Sequence, residues 1–192
     1  MSVQVELTPR AKSAVTLAVM LAAIMQMLDT TIANVALPHM QGSLSATQDQ
    51  LAWVLTSYIV ASAIMTLPIG WLSGRYGRKN VFVISIAGFT LTSLLCGAAS
   101  SLNEMIAFRI LQGLFGAALV PLSQAIMLDI NPKEEHGKAM AMWAVSIMIG
   151  PILGPTLGGF LTEYYSWRWV FYINLPFGVV VLFIILKLMP ET

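Results

Sequence analysis

Long apolar runs, separated by short polar segments, extend over almost the whole sequence. A transmembrane helix needs roughly 20 mostly apolar residues to cross about 30 Å of hydrocarbon. Runs of that length span approximately residues 14–38, 51–72, 80–100, 104–128, 138–162 and 169–189. They are too long for membrane strands and lack the alternation of apolar and polar residues that strands show. The pattern therefore predicts an all-α membrane protein with six transmembrane helices, in which short connections make neighbouring helices antiparallel.

The composition supports a lipid environment. Of the 192 residues, 57% are apolar and 10% are charged, whereas soluble domains carry about 25% charged residues. The net charge of +1 gives no reason to expect a nucleic acid as partner. The single cysteine, Cys96, excludes an intrachain disulfide and is interpreted as a small apolar residue.

Basic residues are distributed asymmetrically between the predicted connections, and this asymmetry sets the orientation because cytoplasmic segments carry the excess of Lys and Arg. Eight of the ten basic residues fall on one side: Arg10, Lys12, Arg75, Arg78, Lys79, Lys133, Lys138 and Lys187. We therefore expect residues 1–13 and 190–192 to be cytoplasmic ends of a six-helix domain (14–189) in the inner, or plasma, membrane. A cleaved signal peptide at the amino terminus fits less well, because the first apolar run continues to residue 38.

Two charged residues, Asp29 and Arg109, fall well inside predicted spans. Either charge costs roughly 2.5–3.5 kcal/mol near the centre of a membrane helix, so such residues face a bundle interior or a cavity and are functional candidates. Counting at 1.5 Å per residue places both in the outer half of the membrane. We expect them to face one another across a shared aqueous space. A static ion pair that satisfies two awkward charges is the alternative.

Further polar residues accompany this pair. Gln112 follows Arg109 at i+3, on the same helical stripe. Gln26 and Asn34 make the first span polar along part of its length, which suits a cavity wall better than a lipid face. Met25 is a candidate for adaptable contacts to a substrate, although most of the methionines are expected to pack or to face lipid.

The fifth span contains a glycine- and proline-rich segment. Its glycines repeat a small-xxx-small spacing, for which close helix packing is the simplest explanation. Its prolines each remove a backbone hydrogen bond and favour a kink. A kinked helix with a glycine face suits a place where bundles slide against each other. The residues concerned are Gly150, Pro151, Gly154, Pro155, Gly158 and Gly159.

The connection between the second and third spans, residues 70–79, combines glycines with basic residues. Gly70 and Gly77 are expected to permit a tight turn, and Arg75 and Arg78 to hold the loop in the cytoplasm. The residues alone leave open whether this loop is a topological anchor or has a mechanical role.

These segments together resemble the major facilitator superfamily, and specifically its fourteen-helix drug:proton antiporters of the EmrB/QacA type. The matching segments occur in the family's order, over residues 14 to 189: a first-helix motif at 28–38, a loop signature at 70–79, an R-x-x-Q-G motif at 109–113, an antiporter motif at 150–159 and a sixth-helix entry at 167–178. The resemblance implies one half of a major facilitator fold, built from 3+3 inverted repeats.

The resemblance also implies a function, namely multidrug efflux of amphipathic organic compounds by proton antiport through alternating access. It assigns proton coupling to Asp29, Arg109 and Gln112. The fifth-span segment and the 70–79 loop would serve conformational gating. Similarity to the EmrB branch alone suggests a periplasmic adaptor and an outer-membrane channel as partners. No cofactor is implied.

Two departures from the family pattern matter. Gly74 stands where the loop signature usually has an aspartate, which puts a carboxylate-dependent latch in doubt. The sequence also stops just after the sixth span, where the family's second half begins. The alternative function is therefore a truncated or degenerate, non-transporting membrane subunit that needs a second half or a dimer partner.

An intramembrane enzyme is disfavoured by the positions of the histidines. His39 and His136 fall in loops on opposite sides of the predicted membrane. No Ser-His pairing, metal cluster, phosphate-binding loop or dinucleotide fingerprint is present in the sequence. We therefore expect neither catalysis nor a bound metal.

Overall fold

The computed structural model describes residues 8–189. Within them lie eight α-helices, one short 3-10 turn (Lys133–Glu135) and no strand: α1 (Pro9–Met40), α2 (Gln48–Tyr76), α3 (Arg78–Ala98), α4 (Leu102–Gly116), α5 (Leu119–Asp129), α6 (His136–Tyr164), α7 (Trp169–Tyr172) and α8 (Asn174–Leu188). Residues 1–7 and 190–192, which belong to the predicted cytoplasmic ends, lie outside this range.

Across this described range, six helical segments are long and apolar enough to cross a membrane. α1, α2, α3 and α6 each form one span, whereas α4 with α5 and α7 with α8 form interrupted spans. Large apolar side chains cover the outside of the bundle, as expected for a surface in lipid: Leu67, Ile64, Val145, Ile152 and Phe183 are among the exposed ones. The predicted all-α, six-helix architecture is confirmed.

Polar residues at the ends of the apolar runs fix where helices begin. At the start of α2, the Thr47 hydroxyl accepts a hydrogen bond from the Gln50 backbone N–H, and the Gln50 side chain accepts one from the Thr47 N–H at 3.0 Å. This reciprocal capping satisfies two backbone donors that the first helical turn leaves free. Ser101 caps α4 in a similar way through the Glu104 N–H.

The connection between α2 and α3 is a single residue, Gly77, with φ 84° and ψ 144°. A positive φ of this size favours glycine because a Cβ would clash with the backbone. The sequence interpretation of the 70–79 segment as a loop was wrong in part, because Gly70 and Gly74 belong to the last turns of α2. Only Gly77 is needed for the turn.

The fourth span is interrupted between α4 and α5, at Ala117 and Ala118. Pro121 contributes to this break, because proline has no N–H to donate to the carbonyl four residues earlier and its ring crowds that carbonyl. The side-chain oxygen of Gln26 in α1 accepts a hydrogen bond from the backbone N–H of Val120 at 3.1 Å. A partly buried backbone donor at the break thus has a hydrogen-bond partner in another helix.

α1 lies at the centre of the bundle and packs against α6 along most of its length. Cβ atoms placed at Gly150, Gly154 and Gly158 would overlap α1. At Gly150 such an atom would lie 2.6–2.7 Å from Met27 and from the Leu28 backbone, and the Gly150 carbonyl accepts a hydrogen bond from the Thr31 hydroxyl at 3.2 Å. The glycine stripe therefore allows close packing within this bundle.

The remaining members of the glycine-rich segment do not face α1. Pro151 and Pro155 are exposed, and α6 runs through both as one helix. A Cβ at Gly159 would meet nothing within 4 Å. The sequence pattern predicts that this glycine face meets a second bundle. The structure corrects this prediction for Gly150, Gly154 and Gly158, because atoms of α1 occupy the space where their side chains would lie.

Polar contacts tie the helix ends together on both sides. On one side, Lys12 pairs with Glu135 at 3.1 Å and Arg78 pairs with Asp129. On the other, the Arg168 guanidinium donates to the carbonyl oxygens that end α3. The chain thus alternates between two polar ends, as short antiparallel connections require.

We expect Gly150→Ala to destabilise the bundle by about 1–3 kcal/mol, the usual cost of overpacking against atoms that cannot move. Its neighbours in α1 are backbone atoms and a Cβ, so relaxation would have to shift a helix. Gly159→Ala is the matched control, because open space surrounds it and alanine favours a helix by up to about 1 kcal/mol. Thermal unfolding of both variants in detergent would measure the difference. Equal melting temperatures would contradict the packing role.

Candidate functional site

The two intramembrane charges meet in the centre of the bundle. The Arg109 Nη1 atom lies 2.7 Å from the Asp29 Oδ2 atom, and both side chains are 0% exposed. α1 carries the acid and α4 carries the guanidinium. The two residues therefore form a direct ion pair, which is the arrangement expected from the sequence as the alternative to a shared aqueous space. Charges in this position are tolerated only when they pair with one another or with other polar groups.

Three further contacts hold the Arg109 guanidinium in place. Its Nε atom donates to the Val54 carbonyl oxygen of α2 at 3.1 Å. Its Cζ atom lies 4.2 Å from the ring centroid of Tyr58 and 5.7 Å from that of Phe171. A cation over the face of an aromatic ring is stabilised by the ring's quadrupole, and more so where water is excluded.

The Asp29 carboxylate accepts hydrogen bonds on both oxygens. Oδ2 accepts from Arg109, while Oδ1 accepts from Gln112 Nε2 at 3.0 Å and from Asn174 Nδ2 at 2.9 Å. The Gln112 side-chain oxygen in turn accepts from Arg109 Nη1 at 2.7 Å. Cys96 donates weakly to the same oxygen, at 3.5 Å. The acid is thus held by side chains from the fourth and sixth spans.

The sequence of α4 explains how this arrangement forms. Arg109 and Gln112 are one turn apart, so both side chains leave the same face of the helix. Gly113 continues that face, and a Cβ there would overlap the Tyr58 carbonyl oxygen. The absence of a side chain at Gly113 lets α4 approach α2 closely enough for Arg109 to reach both Val54 and Asp29.

The shared aqueous space expected around the pair is corrected by the structure. Asp29, Arg109, Gln112 and Asn174 are all 0% exposed. Helices α1, α2, α3, α4 and α8 enclose them, and amide and guanidinium donors take the place of water at the carboxylate. The charges are compensated by protein groups, in the manner of a buried ion pair.

The residues predicted to line a substrate cavity separate into different environments. Met25 is 1% exposed and packs in the apolar core, so the structure gives it no cavity surface. Gln26 is 7% exposed and bonds to the break in the fourth span. Asn34 is exposed and lines an open cavity of about 520 Å³ with Gln41 and Asp49 at the end of α1.

The gating candidates at the opposite end also differ from one another. Gly70 lies in α2 beside open space. The exposed Arg75 lies 5.8 Å from the ring centroids of both Trp71 and Tyr76. Arg78 forms its ion pair with Asp129, which links the start of α3 to the end of α5. These residues lie far along the helices from the Asp29 cluster and do not contact it.

Two members of the cluster were missed as functional candidates. Asn174 was noted only within the sixth-helix entry segment, and Tyr58 was not singled out. A buried amide in an otherwise apolar span is a signal that could have found Asn174, since such a group must have a polar partner. Nothing in the sequence around Tyr58 indicated that its ring would lie under Arg109.

Comparisons with known proteins agree with this fold. The family model of the Major Facilitator Superfamily matches residues 19–192. The chain is 44% identical over 175 residues to the "Probable multidrug resistance protein EmrY" of Escherichia coli, covering 91% of this chain and 34% of that protein. It is 43% identical over 172 residues to the "Multidrug export protein EmrB" of the same species, covering 90% and 34%. The "Putative multidrug resistance protein MdtD" of Yersinia enterocolitica is 48% identical over 167 residues, covering 87% and 36%.

Solved structures share the fold at lower identity. The xylose transporter XylE of Escherichia coli superposes with a TM-score of 0.81 at 18% identity, covering 94% of this chain and 49% of that one. A bacterial homologue of the human lysosomal transporter Spinster gives 0.81 at 21% identity, covering 96% and 44%.

These findings define a polytopic transporter fold with a buried charge cluster. The chain belongs to the Major Facilitator Superfamily and corresponds to the amino-terminal part of its EmrB-type members. It spans about a third of the length of the curated relatives that it matches. The resemblance drawn from the sequence motifs is confirmed.

We expect Arg109→Leu to destabilise the bundle by about 3–5 kcal/mol, because it leaves Asp29 buried without a counter-charge. Asp29→Asn combined with Arg109→Leu should cost less than the two single changes added together, with a coupling energy of about 1–3 kcal/mol. Arg75→Leu is the exposed control and should shift stability by no more than about 0.5 kcal/mol. Denaturant unfolding in detergent measures all four variants. Strict additivity at Asp29 and Arg109 would show that the ion pair contributes nothing.

Proposed function

We propose that this chain is the amino-terminal half of a multidrug efflux transporter that exports amphipathic organic compounds by proton antiport through alternating access. The observation that carries the proposal is the Asp29 carboxylate, which is 0% exposed in the middle of a membrane bundle and bound to Arg109, Gln112 and Asn174. An ionisable acid inside a membrane bundle is energetically unfavourable, and its presence there therefore indicates a functional role.

Asp29 provides a chemical basis for coupling. A proton on its carboxyl group would neutralise the acid and leave Arg109 without its counter-charge, so the ion pair would loosen. A cationic substrate that approached the ionised acid would compete with that proton. Proton binding and substrate binding at Asp29 would then exclude each other, so that proton entry accompanies substrate release, as antiport requires. Arg109 and Gln112 would act by holding the carboxylate in place between these two events.

Alternating access needs a second bundle against which this one rocks, with the site near the membrane midplane. The enclosed cluster must open to one side at a time for protons to reach it. The α1–α6 contact offers a route for this motion, because Gly150 bonds to Thr31, two residues beyond Asp29. The fifth-span segment is proposed as a gating element on this basis. The end of α2, with Gly70 and Arg75, and the turn into α3, with Gly77 and Arg78, are proposed as gating elements from the resemblance of residues 70–79 to the family's loop signature.

Several observations support drugs as substrates. Relatives over most of this chain carry the printed names of multidrug export or resistance proteins, and one is named a fatty acid resistance protein. The open cavity that includes Asn34 and Asp49 combines polar with apolar walls, as an entry for amphipathic compounds would. A periplasmic adaptor and an outer-membrane channel are proposed as partners from the EmrB-type relatives alone.

Localisation in the inner membrane with both ends cytoplasmic is also proposed. The basic residues gather at the end of the bundle where α1 begins and α8 ends, around the Lys12–Glu135 and Arg78–Asp129 pairs. The excess of Lys and Arg at one end is the feature that correlates with a cytoplasmic location.

We expect Asp29→Asn, introduced into the protein as its gene encodes it, to reduce drug-dependent proton flux at least tenfold. The reason is that an amide does not bind and release protons at physiological pH. Proteoliposomes with a pH-sensitive dye inside measure the flux. Glu163→Gln is the matched control, since this acid is exposed in the last turn of α6 and lies outside the Asp29 cluster and the cavity of Asn34. A cooperative thermal unfolding transition in detergent would show that the variant is folded. Unchanged flux in Asp29→Asn would remove the acid from coupling, and no drug-dependent flux in the parent protein would favour a non-transporting subunit.

The proposed orientation is testable with single cysteines at two exposed glycines beside open space. Gly137→Cys should react with a membrane-impermeant maleimide only after the cytoplasmic side is opened. Gly42→Cys should react in intact spheroplasts. Cys96 is 0% exposed and should stay unlabelled without substitution. The opposite labelling pattern would invert the topology.

A further inference from the structure

Asn174 makes an incomplete set of hydrogen bonds in the centre of the bundle. Its Nδ2 atom donates to Asp29 Oδ1 and to Ser93 Oγ, each at 2.9 Å, so both amide hydrogens are used. Its Oδ1 atom is buried and has no partner among the residues that the structure describes. A buried amide oxygen without a hydrogen-bond donor is uncommon. Such an atom either lowers the stability of the fold or takes part in function.

The position of Asn174 links Asp29 to a break in the sixth span. Asn174 is the first residue of α8, directly after the turn at Ile173 that separates it from α7. The Ser93 hydroxyl that accepts from Asn174 donates onward to the Phe171 carbonyl oxygen of α7 at 2.8 Å. A continuous chain of hydrogen bonds therefore runs from the acid, through the amide and the hydroxyl, to the backbone beside the break.

A protonated Asp29 would need a hydrogen-bond acceptor within this enclosed site. The Gln112 side-chain oxygen already accepts from Arg109 and Cys96, and the Val54 carbonyl accepts from Arg109 Nε. Asn174 Oδ1 is an acceptor without a partner among the described residues, and it belongs to a side chain that is already hydrogen-bonded to Asp29. A half-turn of the amide about its Cβ–Cγ bond exchanges nitrogen and oxygen, and so presents that acceptor to Asp29.

We propose that Asn174 is the positioning residue for both protonation states of Asp29: its amide donates to the carboxylate and, after a half-turn, accepts from the carboxylic acid. This inference rests on the proposed proton coupling at Asp29. The Ser93 hydroxyl, which can turn its hydrogen from Phe171 toward the rotated amide oxygen, accommodates the second state. The only covalent bond that forms or breaks is the O–H bond of Asp29, and the proton stays on this carboxyl group while the amide turns.

None of the other ionisable groups around Asp29 accepts a hydrogen bond from its carboxyl group in the structure. Arg109 from α4 and Tyr58 from α2 face the acid as a fixed cation and the ring beneath it, and Cys96 from α3 contacts Gln112. Arg109 has no acceptor atom. The Tyr58 hydroxyl also has no partner among the described residues, but it lies beside Gly116 and makes no hydrogen bond to Asp29, whereas Asn174 is already bonded to the acid. The glycine stripe by which α6 approaches Met27, Leu28 and Thr31 of α1 carries no ionisable group.

The test uses infrared difference spectroscopy on the protein as encoded, reconstituted in lipid and titrated with acid. The carbonyl band of neutral Asp29 is identified as the band that Asp29→Asn removes. Because a hydrogen bond lowers the carbonyl stretching frequency of an acid, Asn174→Leu should move this band upward. Asn174→Ala serves as a second variant, so that a misfolded leucine variant does not decide the result. The control is Thr90→Val, since Thr90 lies at the same α3–α8 contact and bonds only within its own helix, to the Ile86 carbonyl.

Transport supplies the second readout. We expect the Asn174 variants to lower kcat for drug-dependent proton flux about tenfold with KM for the drug unchanged, because a tenfold change corresponds to one hydrogen bond of ordinary strength. Thr90→Val should leave both the band and kcat unchanged. An Asp29 band at the same frequency in the parent, Asn174→Leu and Asn174→Ala proteins would overturn the inference. Absence of drug-dependent flux in the parent would instead contradict the proposed function, while the band would still report on the Asp29–Asn174 contact.

Discussion

The ion pair between Asp29 and Arg109 is the constraint on which the rest of the bundle depends. Two charges with 0% exposure in a membrane protein are stable only if they pair with one another and with other polar groups. That requirement fixes the rotation of α1 and α4 and demands the close approach of α2 that Gly113 permits. Replacing either charge alone leaves the other unmatched in a site that is closed to solvent.

The same cluster lies close to irregular backbone. The fourth span is broken at Ala117 and Ala118, and the sixth at Ile173, and buried amide side chains accompany both breaks. Gln26 accepts from the freed Val120 N–H, and Asn174 begins the helix after the second break. Non-helical backbone at membrane depth is tolerated where protein encloses it. Both breaks thus lie where surrounding protein groups can pair with the freed backbone groups. They also lie close enough to Asp29 for a change in its protonation state to affect them.

The packing of α6 on α1 connects this centre to the outer surface of the bundle. The stripe of Gly150, Gly154 and Gly158 brings the two helices into contact, while Pro151 and Pro155 on the other side of α6 remain exposed. One helix therefore presents a smooth face to the charge-bearing α1 and a proline-bearing face outward. A displacement of α6 would act directly on the helix that carries Asp29.

The sequence by itself determined the six spans, the family and the meeting of Asp29 with Arg109. The spans and the shared depth of the two charges follow from hydropathy and span length, which are properties of each segment taken alone. The family follows from the resemblance of the motifs and their order along the chain. Only the tertiary structure decided that the pair is enclosed and that Asn174 completes it, 145 positions along the chain from Asp29. It also decided that the glycine stripe faces α1. Such contacts depend on the rotation of each helix about its axis, and that rotation is set by packing among all the spans at once.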